Sequence, residues 1–393
     1  MAFELNTYSA LLLLPFSQAV LFGILLIFKT GDTFKLSNLL LGAILLMMSI
    51  KIAFWMLGFA GWYDSHDTYT SFMFYFPFNT ICLIGPLIYF YFLSATNQDF
   101  RFEKQHAHHL WLPVIWVIVI LGKFSLDFAL HFPFPKTTYT QFGTKGPLAE
   151  IDKTLPFTLI SYGSLIYYLI LTFRSFYAYK KYAIQNLSSL ENLDFVWLRN
   201  ILLALGSGLV LMFIYQIANW ITPLSYRADW YSYMFLGILV YYLGIKGYMF
   251  QRAQKPALNF TETSNSYDDQ LDEVKEFPDL PIRMEELTTL LNQQKPYLVP
   301  ELTLSQLAYM MRLNSGILSR VINVGYNLNF NDFINGYRIK EVLWKIDDQQ
   351  HKKITLLGIA LDSGFNSKAT FNRAFKKQTG KTPLEYIKSI ERA

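Results

Sequence analysis

The chain of 393 residues is 52% hydrophobic and 17% aromatic, with 16% charged residues and a formal net charge of +5. That apolar share exceeds the usual content of a soluble chain and excludes the polar, highly charged composition of a disordered one. A single cysteine, Cys82, excludes an intramolecular disulfide and a cysteine-built zinc site.

The apolar excess is concentrated. Up to about Phe250 the chain is a series of apolar runs, and from Gln251 onward charges occur throughout. A bilayer core of about 30 Å takes roughly 20 helical residues, and the runs at 9–28, 36–59, 71–94, 110–130, 155–176, 200–222 and 231–250 predict seven spans. Each must be helical, because lipid offers no partner to backbone N–H and C=O groups. The first run has no basic flank and is too long for a signal-peptide core, so it reads as a retained span. Pro86, after Gly85, predicts a kink in the third.

Seven spans place the ends on opposite sides, and basic loop residues decide which is which. One set of loops holds Lys29, Lys35, Arg101, Lys104, Arg174, Lys180, Lys181, Arg199, Lys246, Arg252 and Lys255. The other holds only Lys136, Lys145, Lys153 and Arg227. The N-terminus is therefore expected outside and residues beyond 250 in the cytoplasm.

Polar residues within the spans, Gln18, Lys51, Asn79, Lys123, Asp127, Gln216 and Asn219, fall in their outer halves under this orientation. Charged groups at membrane depth are costly and usually face partners or a wet cavity. Lys51, Trp55, Lys123, Asp127, Gln216 and Asn219, with Trp220 as a further aromatic wall, are the candidate ligand pocket; Lys123 and Asp127 are spaced to pair along one helix. The alternative is a set of lysines snorkelling to the surface and amides bonding between helices. His106, His108 and His109 lack a carboxylate or cysteine at ligand spacing, so neither a metal nor another cofactor is expected.

Residues 251–281 read as a flexible linker, acidic through Glu262, Asp268, Asp269, Asp272, Glu273, Glu276 and Asp279. It serves either as a spacer or as a negative segment folding over the basic domain that follows.

Residues 282–393 carry sixteen basic against ten acidic side chains, the excess expected of a phosphate-binding module. Thr355 to Asp362 predicts a short helix with Leu356, Ile359 and Ala360 inward. Gly364 supplies a turn, since glycine takes positive φ freely, and Phe365 returns to the core. Asn366 or Ser367 caps the next helix. That helix turns Phe371, Ala374 and Phe375 inward and Lys368, Asn372, Arg373, Lys376 and Lys377 outward. Gly380 and Pro383 end it. Helix, glycine turn and capped basic helix form a helix-turn-helix suited to the major groove. A weaker copy precedes it at an offset of 53 residues, aligning Leu318–Asn323 with Phe371–Lys376 and Asn329–Ile334 with Thr382–Ile387. A helix from Asn331 to Lys345 is expected to join the copies, placing Phe333, Ile334, Tyr337 and Val342 in a shared core.

These residues carry a resemblance. Ile282 to Ser389 resembles the DNA-binding domain of the AraC/XylS family of bacterial transcription activators. It does so through Leu307-Ala308, Leu318-Ser319-Arg320, Ile359-Ala360, Gly364-Phe365, Phe371-Asn372-Arg373-Ala374-Phe375-Lys376-Lys377, Gly380-Lys381-Thr382-Pro383 and Tyr386. The resemblance implies two helix-turn-helix units on a rigid joining helix, entering adjacent major-groove segments of double-stranded DNA, with RNA polymerase as a partner. It assigns base contacts to Gly316, Ser319 and Arg320 and to Lys368, Ala369, Asn372 and Arg373. Arginine suits guanine and asparagine suits adenine, with phosphate contact alone as the alternative. Three positions depart from the pattern: Arg312 stands where the first turn has glycine, Gly316 offers no side chain to a base, and Ile387 replaces an arginine.

The expected architecture is all-α: a seven-helix transmembrane bundle over 1–250, the linker over 251–281, and a double helix-turn-helix domain over 282–393. The corresponding function is a regulator in the bacterial inner membrane, with its DNA-binding domain in the cytoplasm, that couples a small-molecule or protein signal to transcription. A homodimer is compatible with this reading but not required by it. No nucleotide loop, zinc-protease helix or nucleophile motif points to an enzyme. A transporter or membrane enzyme with a self-regulating DNA-binding tail, and a constitutively anchored regulator, are the competing readings.

Overall fold

The structure, a computed structural model, describes residues 4–29, 35–97, 100–134, 143–151, 154–190, 193, 195–249 and 279–391. The acidic linker up to residue 278 lies outside the described residues. Those residues form helices, with no strand among them beyond one isolated antiparallel bridge between Leu187 and Thr303. By contact the chain divides into two compact units, Met1–Phe176 with Phe195–Asn259, and Tyr177–Asp194 with Phe260–Ala393.

The first unit contains α1 (Thr7–Ile27), α2 (Lys35–Phe59), the short α3 (Thr68–Met73), α4 (Ile81–Thr96), α5 (Trp111–His131), the apolar part of α6 (Leu155–Asn186), α7 (Phe195–Ile221) and α8 (Tyr226–Met249). Asn6 begins α1 by accepting a hydrogen bond from the Ser9 N–H in a capping box, which satisfies a donor that no helical carbonyl can reach. Five stretches are long and apolar enough to cross a bilayer: Thr7–Ile27, Leu36–Phe59, Lys104–His131, Pro156–Asn186 and Phe195–Ile221. The other two expected spans fall short of that standard. α4 is apolar but has only 16 residues, and α8 has 24 residues but a more polar composition, with Asp229 and Lys246 inside it.

The third run is not one helix. α3 ends at Met73 and the helix resumes at Ile81, with Pro77 in the gap. Proline has no N–H to donate and pushes the preceding residue out of the helical region. Pro86, the expected kink, sits inside α4, so the interruption lies nine residues before it in sequence.

Packing in this unit depends on small residues at the closest helix contacts. α1 packs on α2 and α8, and α2 also packs on α4. A Cβ on Gly42 would stand 2.7 Å from the Gly23 carbonyl oxygen, so the close approach of α1 and α2 requires glycine there. Gln18, buried, donates from Nε2 to the Tyr241 carbonyl at 3.3 Å. It bonds between helices, as the second of the two sequence-based alternatives has it.

The second unit contains α9 (Leu280–Gln294), α10 (Leu304–Met310), α11 (Ser315–Arg320), α12 (Phe330–Asp347), α13 (Leu356–Leu361), α14 (Lys368–Thr379) and α15 (Pro383–Glu391), together with Tyr177–Asp194. α11 continues into a wider π-helical turn over Val321–Gly325. The shared core expected along the joining helix is instead two cores. α12 gives Phe330, Phe333 and Ile334 to the first, among Leu307, Leu318 and Ile322. It gives Ile339, Val342 and Ile346 to the second, among Ile359, Phe365, Phe371 and Phe375. Tyr337 is half-buried against the first. At 1.5 Å of rise per residue, one end of α12 cannot reach the residues packed on the other.

Candidate nucleic-acid interface and a polar cavity

Each helix-turn-helix is built by caps and one turn. Thr303 accepts from the Gln306 N–H to begin α10, and Thr355 accepts from the Gly358 N–H to begin α13. The turn after α13 is Gly364 at φ 90°, where a Cβ would meet the Tyr297 carbonyl oxygen at 2.4 Å. The first turn puts Arg312 in the same left-handed region at φ 55°, where an L side chain is disfavoured by about 1–2 kcal/mol. Ser367 then caps α14 by accepting from the Thr370 N–H, and Asn314 caps α11 by accepting from the Gly316 N–H. Gly380 ends α14 at φ 74°.

The geometry separates the two faces of α14. Phe371 and Phe375 are buried, while Lys368, Ala369, Asn372, Arg373, Lys376 and Lys377 are exposed. Arg373 reaches the Thr370 hydroxyl at 3.4 Å, and Lys377 forms an ion pair with Asp332 of α12 at 2.8 Å. In the first helix-turn-helix Ser319 and Arg320 are only half-exposed, and Ser319 accepts from Asn323 at 3.3 Å. α11 is 6 residues long against 12 for α14, so the second helix offers the larger polar surface.

A short α13, a positive-φ turn, and a capped helix with a basic exposed face repeat the geometry of the preceding pair on the other side of α12. Residues 307–389 match the family model described as a helix-turn-helix domain. The C-terminal domain is an AraC-type helix-turn-helix DNA-binding domain. No curated protein and no solved structure matches the chain. The AraC-type domain makes this protein a DNA-binding transcription regulator, with double-stranded DNA as its partner.

Inside the AraC-type domain lies a polar node that pattern reading missed. Arg338 of α12 is 1% exposed, and a buried guanidinium must have its donors satisfied. Its Nε donates to the Tyr297 carbonyl at 2.8 Å, and Nη2 donates to the carbonyls of Val299 at 2.8 Å and Pro300 at 3.1 Å. Both terminal nitrogens also hold Ser188, Nη2 at its hydroxyl (3.0 Å) and Nη1 at its carbonyl (3.3 Å). Asn331 donates to the carbonyls of Leu187 and Ser188 at 3.1 and 2.9 Å, the Ser188 N–H donates to the Leu302 carbonyl at 3.1 Å, and Asn366 donates to the Ser189 hydroxyl at 3.2 Å. The segment after α6 thus bonds to the first half of the domain, to the joining helix, and to the residue preceding the α14 cap. Beside it, Glu341 accepts from Lys295 at 2.9 Å and from the Tyr297 hydroxyl at 3.2 Å. Burial, with Glu341 adding to it, pushes the Tyr297 phenol up to about 12. The signal for this node was a charged residue at the Ile334–Arg338–Val342 spacing of a core face.

The first unit has a cavity of about 230 Å³. It brings together five of the six pocket residues expected from sequence: Lys51 and Trp55 of α2, Lys123 of α5, and Gln216 and Asn219 of α7. Asp127 does not line it. That carboxylate is buried and accepts from the Tyr75 hydroxyl at 2.6 Å and the Leu148 N–H at 2.9 Å, with His131 at 3.3 Å. Lys123 donates to the Ala149 carbonyl at 2.9 Å, so these two residues serve different partners within the 143–151 segment. Trp220 is 61% exposed and lies outside the cavity lining. The gap around Pro77 contributes Asn79, one of the polar residues singled out within the spans, together with Phe76 and Phe78, and α8 contributes Asp229 and Tyr233; of these five wall residues the sequence selects only Asn79. Among the described residues no three His, Cys, Asp or Glu side chains converge as a metal site requires.

Proposed function

We propose that the protein is a membrane-bound transcription regulator, in the bacterial inner membrane, whose helical first unit receives a signal and passes it to the AraC-type domain. Five long apolar helices and the one-sided distribution of loop lysines and arginines support the membrane placement, with the DNA-binding domain in the cytoplasm. The observation that carries the signalling part is the path of α6. It begins in the first unit, its last residues belong to the second, and the Leu187–Ser189 segment following it is hydrogen-bonded within the DNA-binding domain at Asn331, Arg338 and Asn366. A change in α6 that favours one position of this segment favours one arrangement of the two helix-turn-helix units. Base reading is assigned chiefly to Asn372 and Arg373, with Lys368 beside them, Lys376 on phosphate, and Ser319 and Arg320 as the weaker first reader. RNA polymerase is the partner of the DNA-bound form, and one chain with two readers suffices without a homodimer.

The test is insertion of two glycines between Ser189 and Leu190 in the full chain, assayed on a target promoter. Transcription is expected to lose its dependence on the inducing condition while the protein still footprints its operator. Unchanged induction would remove the proposed route, and regulation left unchanged by deletion of residues 1–250 would support a constitutive anchor. A second reading, transport of a solute with self-regulation by the tail, is favoured by the non-helical segment at Pro77 lining the cavity, because irregular backbone at membrane depth occurs where it faces a cavity. Solute uptake by vesicles containing the purified protein would support it.

A further inference from the structure

We propose that Arg338 is a positioning residue for DNA reading: it holds the two helix-turn-helix units at one separation, so that the protein selects operators by the spacing between two base-read elements. This deepens the assignment of two readers to one chain and rests on both engaging DNA at once, independently of any signal from the first unit.

Arg338 belongs to a polar seam along α12. Asn331, Asn335, Arg338 and Glu341 follow one another at spacings of four, three and three residues, and all are buried. Residues so spaced share one face of a helix. They are also linked along it: Asn335 donates from Nδ2 to Asn331 Oδ1 at 3.1 Å, and Arg338 donates from Nη1 to Asn335 Oδ1 at 3.4 Å. Arg338 stands between the two apolar sets of the same helix, after Phe330, Phe333 and Ile334 and before Ile339, Val342 and Ile346.

Both halves of the domain meet at this guanidinium. Its Nε and Nη2 hold the carbonyls of Tyr297, Val299 and Pro300, a stretch whose Tyr297 and Leu298 pack in the first core. Its central carbon stands 5.9 Å from the ring centroid of Phe365, which belongs to the second core. Gly364, the turn of the second helix-turn-helix, lies so close that a Cβ there would be 3.0 Å from Arg338 Nε and 3.0 Å from Leu298 Cα. The turn of the second reader is therefore seated on backbone of the first half, with Arg338 against both.

Direction is what this contact adds. Apolar packing is non-directional, so a unit held to α12 by its core alone can rock about that helix. Hydrogen bonds weaken steeply away from linearity, and a planar guanidinium shared among three carbonyls fixes one orientation. On DNA that orientation becomes a distance. At about 10–10.5 bp per turn, one added base pair rotates the second element by roughly 35° and moves it by about 3.4 Å. Arg338, 1% exposed, acts through the reading helices α11 and α14 rather than on a base.

The test uses the full chain in detergent micelles and an operator duplex defined by footprinting. Affinity is measured by competition on the native duplex, on duplexes with one base pair added or removed between the two elements, and on one with the first element scrambled. The native protein is expected to lose at least tenfold on either altered spacing. Arg338→Met keeps a long stem beside Phe365 and lacks the donors; its spacing penalty is expected to fall below threefold, with base preference inside each element unchanged. Arg338→Lys, which keeps the charge and one donor group, is the second variant should Arg338→Met fail to fold, and its penalty is expected to be at least threefold smaller than that of the native protein. A variant that loses affinity equally on every spacing overturns the inference, since a merely structural role predicts that result. Native binding that tolerates the added base pair within threefold overturns it without any variant. Scrambling the first element separates the two claims: no loss there overturns the two-reader premise, whereas a loss there without a spacing penalty overturns the role of Arg338 alone.

Discussion

Arg312 and Gly364 hold corresponding places in the two helix-turn-helix units, and both take positive φ, 55° and 90°. Arg312→Gly is expected to raise stability by about 1 kcal/mol by removing left-handed strain, seen as a higher Tm of the purified protein. Gly364→Ala is expected to cost about 2–3 kcal/mol, because strain is joined by a clash with the Tyr297 carbonyl oxygen at 2.4 Å. Arg373→Ala should weaken operator binding by about 1–3 kcal/mol and relax preference at one base pair. An equal loss on every sequence in a competition assay would place that side chain on phosphate instead. Tyr297 supplies a pH prediction. Its phenol stays neutral to about 12 in the folded state but ionises near 10 in the unfolded one. The associated stability is complete below pH 10 and is lost as pH rises toward 12. Tyr297→Phe should flatten that alkaline loss in unfolding curves taken across the window.

At the level of elements, α14 and α12 do different work. α14 presents Lys368, Asn372, Arg373 and Lys376 from a backbone anchored by Phe371 and Phe375, both buried. Phe375→Ala is expected to cost about 3–5 kcal/mol and to abolish operator binding through loss of fold, visible in circular dichroism. α12 carries two cores and a polar node between them, so its contribution is relative orientation. Lys377, on the basic face by pattern, pairs with Asp332 of α12 at 2.8 Å. Such an exposed pair contributes only about 0–1 kcal/mol to stability. Asp332→Ala should therefore change Tm little, and release Lys377 to strengthen non-specific DNA binding at low salt.

For the whole molecule, the chain passes from the first unit into the second within a helix, at Phe176–Tyr177, and returns at Asp194–Phe195. A tail expressed without residues 1–250 lacks Ser188, and Arg338 then loses its two contacts there, at 3.0 and 3.3 Å. Losing partners of a buried charge is destabilising. A tail beginning at residue 257 is expected to unfold at lower temperature than the same domain in the full chain. An unchanged melting transition would mean that the Leu187–Ser189 segment contributes nothing to the fold of the domain.

The division of labour between sequence and tertiary structure follows from the range of the forces. Long apolar helices, the second helix-turn-helix and its caps were legible because each depends on neighbours within one or two turns: a period of 3.6, a glycine at positive φ, a serine before a helix. The interruption at Pro77 was written just as locally, but the unbroken hydropathy of the run concealed it. Convergence of Lys51, Lys123, Gln216 and Asn219 was inferred from the cost of polar groups at depth, which says that they need company without saying whose. Only the fold took Asp127 out of that company and gave it to Tyr75 and Leu148. Only the fold divided the expected shared core in two along α12 and joined Ser188 to Arg338, 150 residues away. Contacts at that separation leave no periodicity in the chain, because they are chosen by which surfaces remain to be satisfied once the helices have packed.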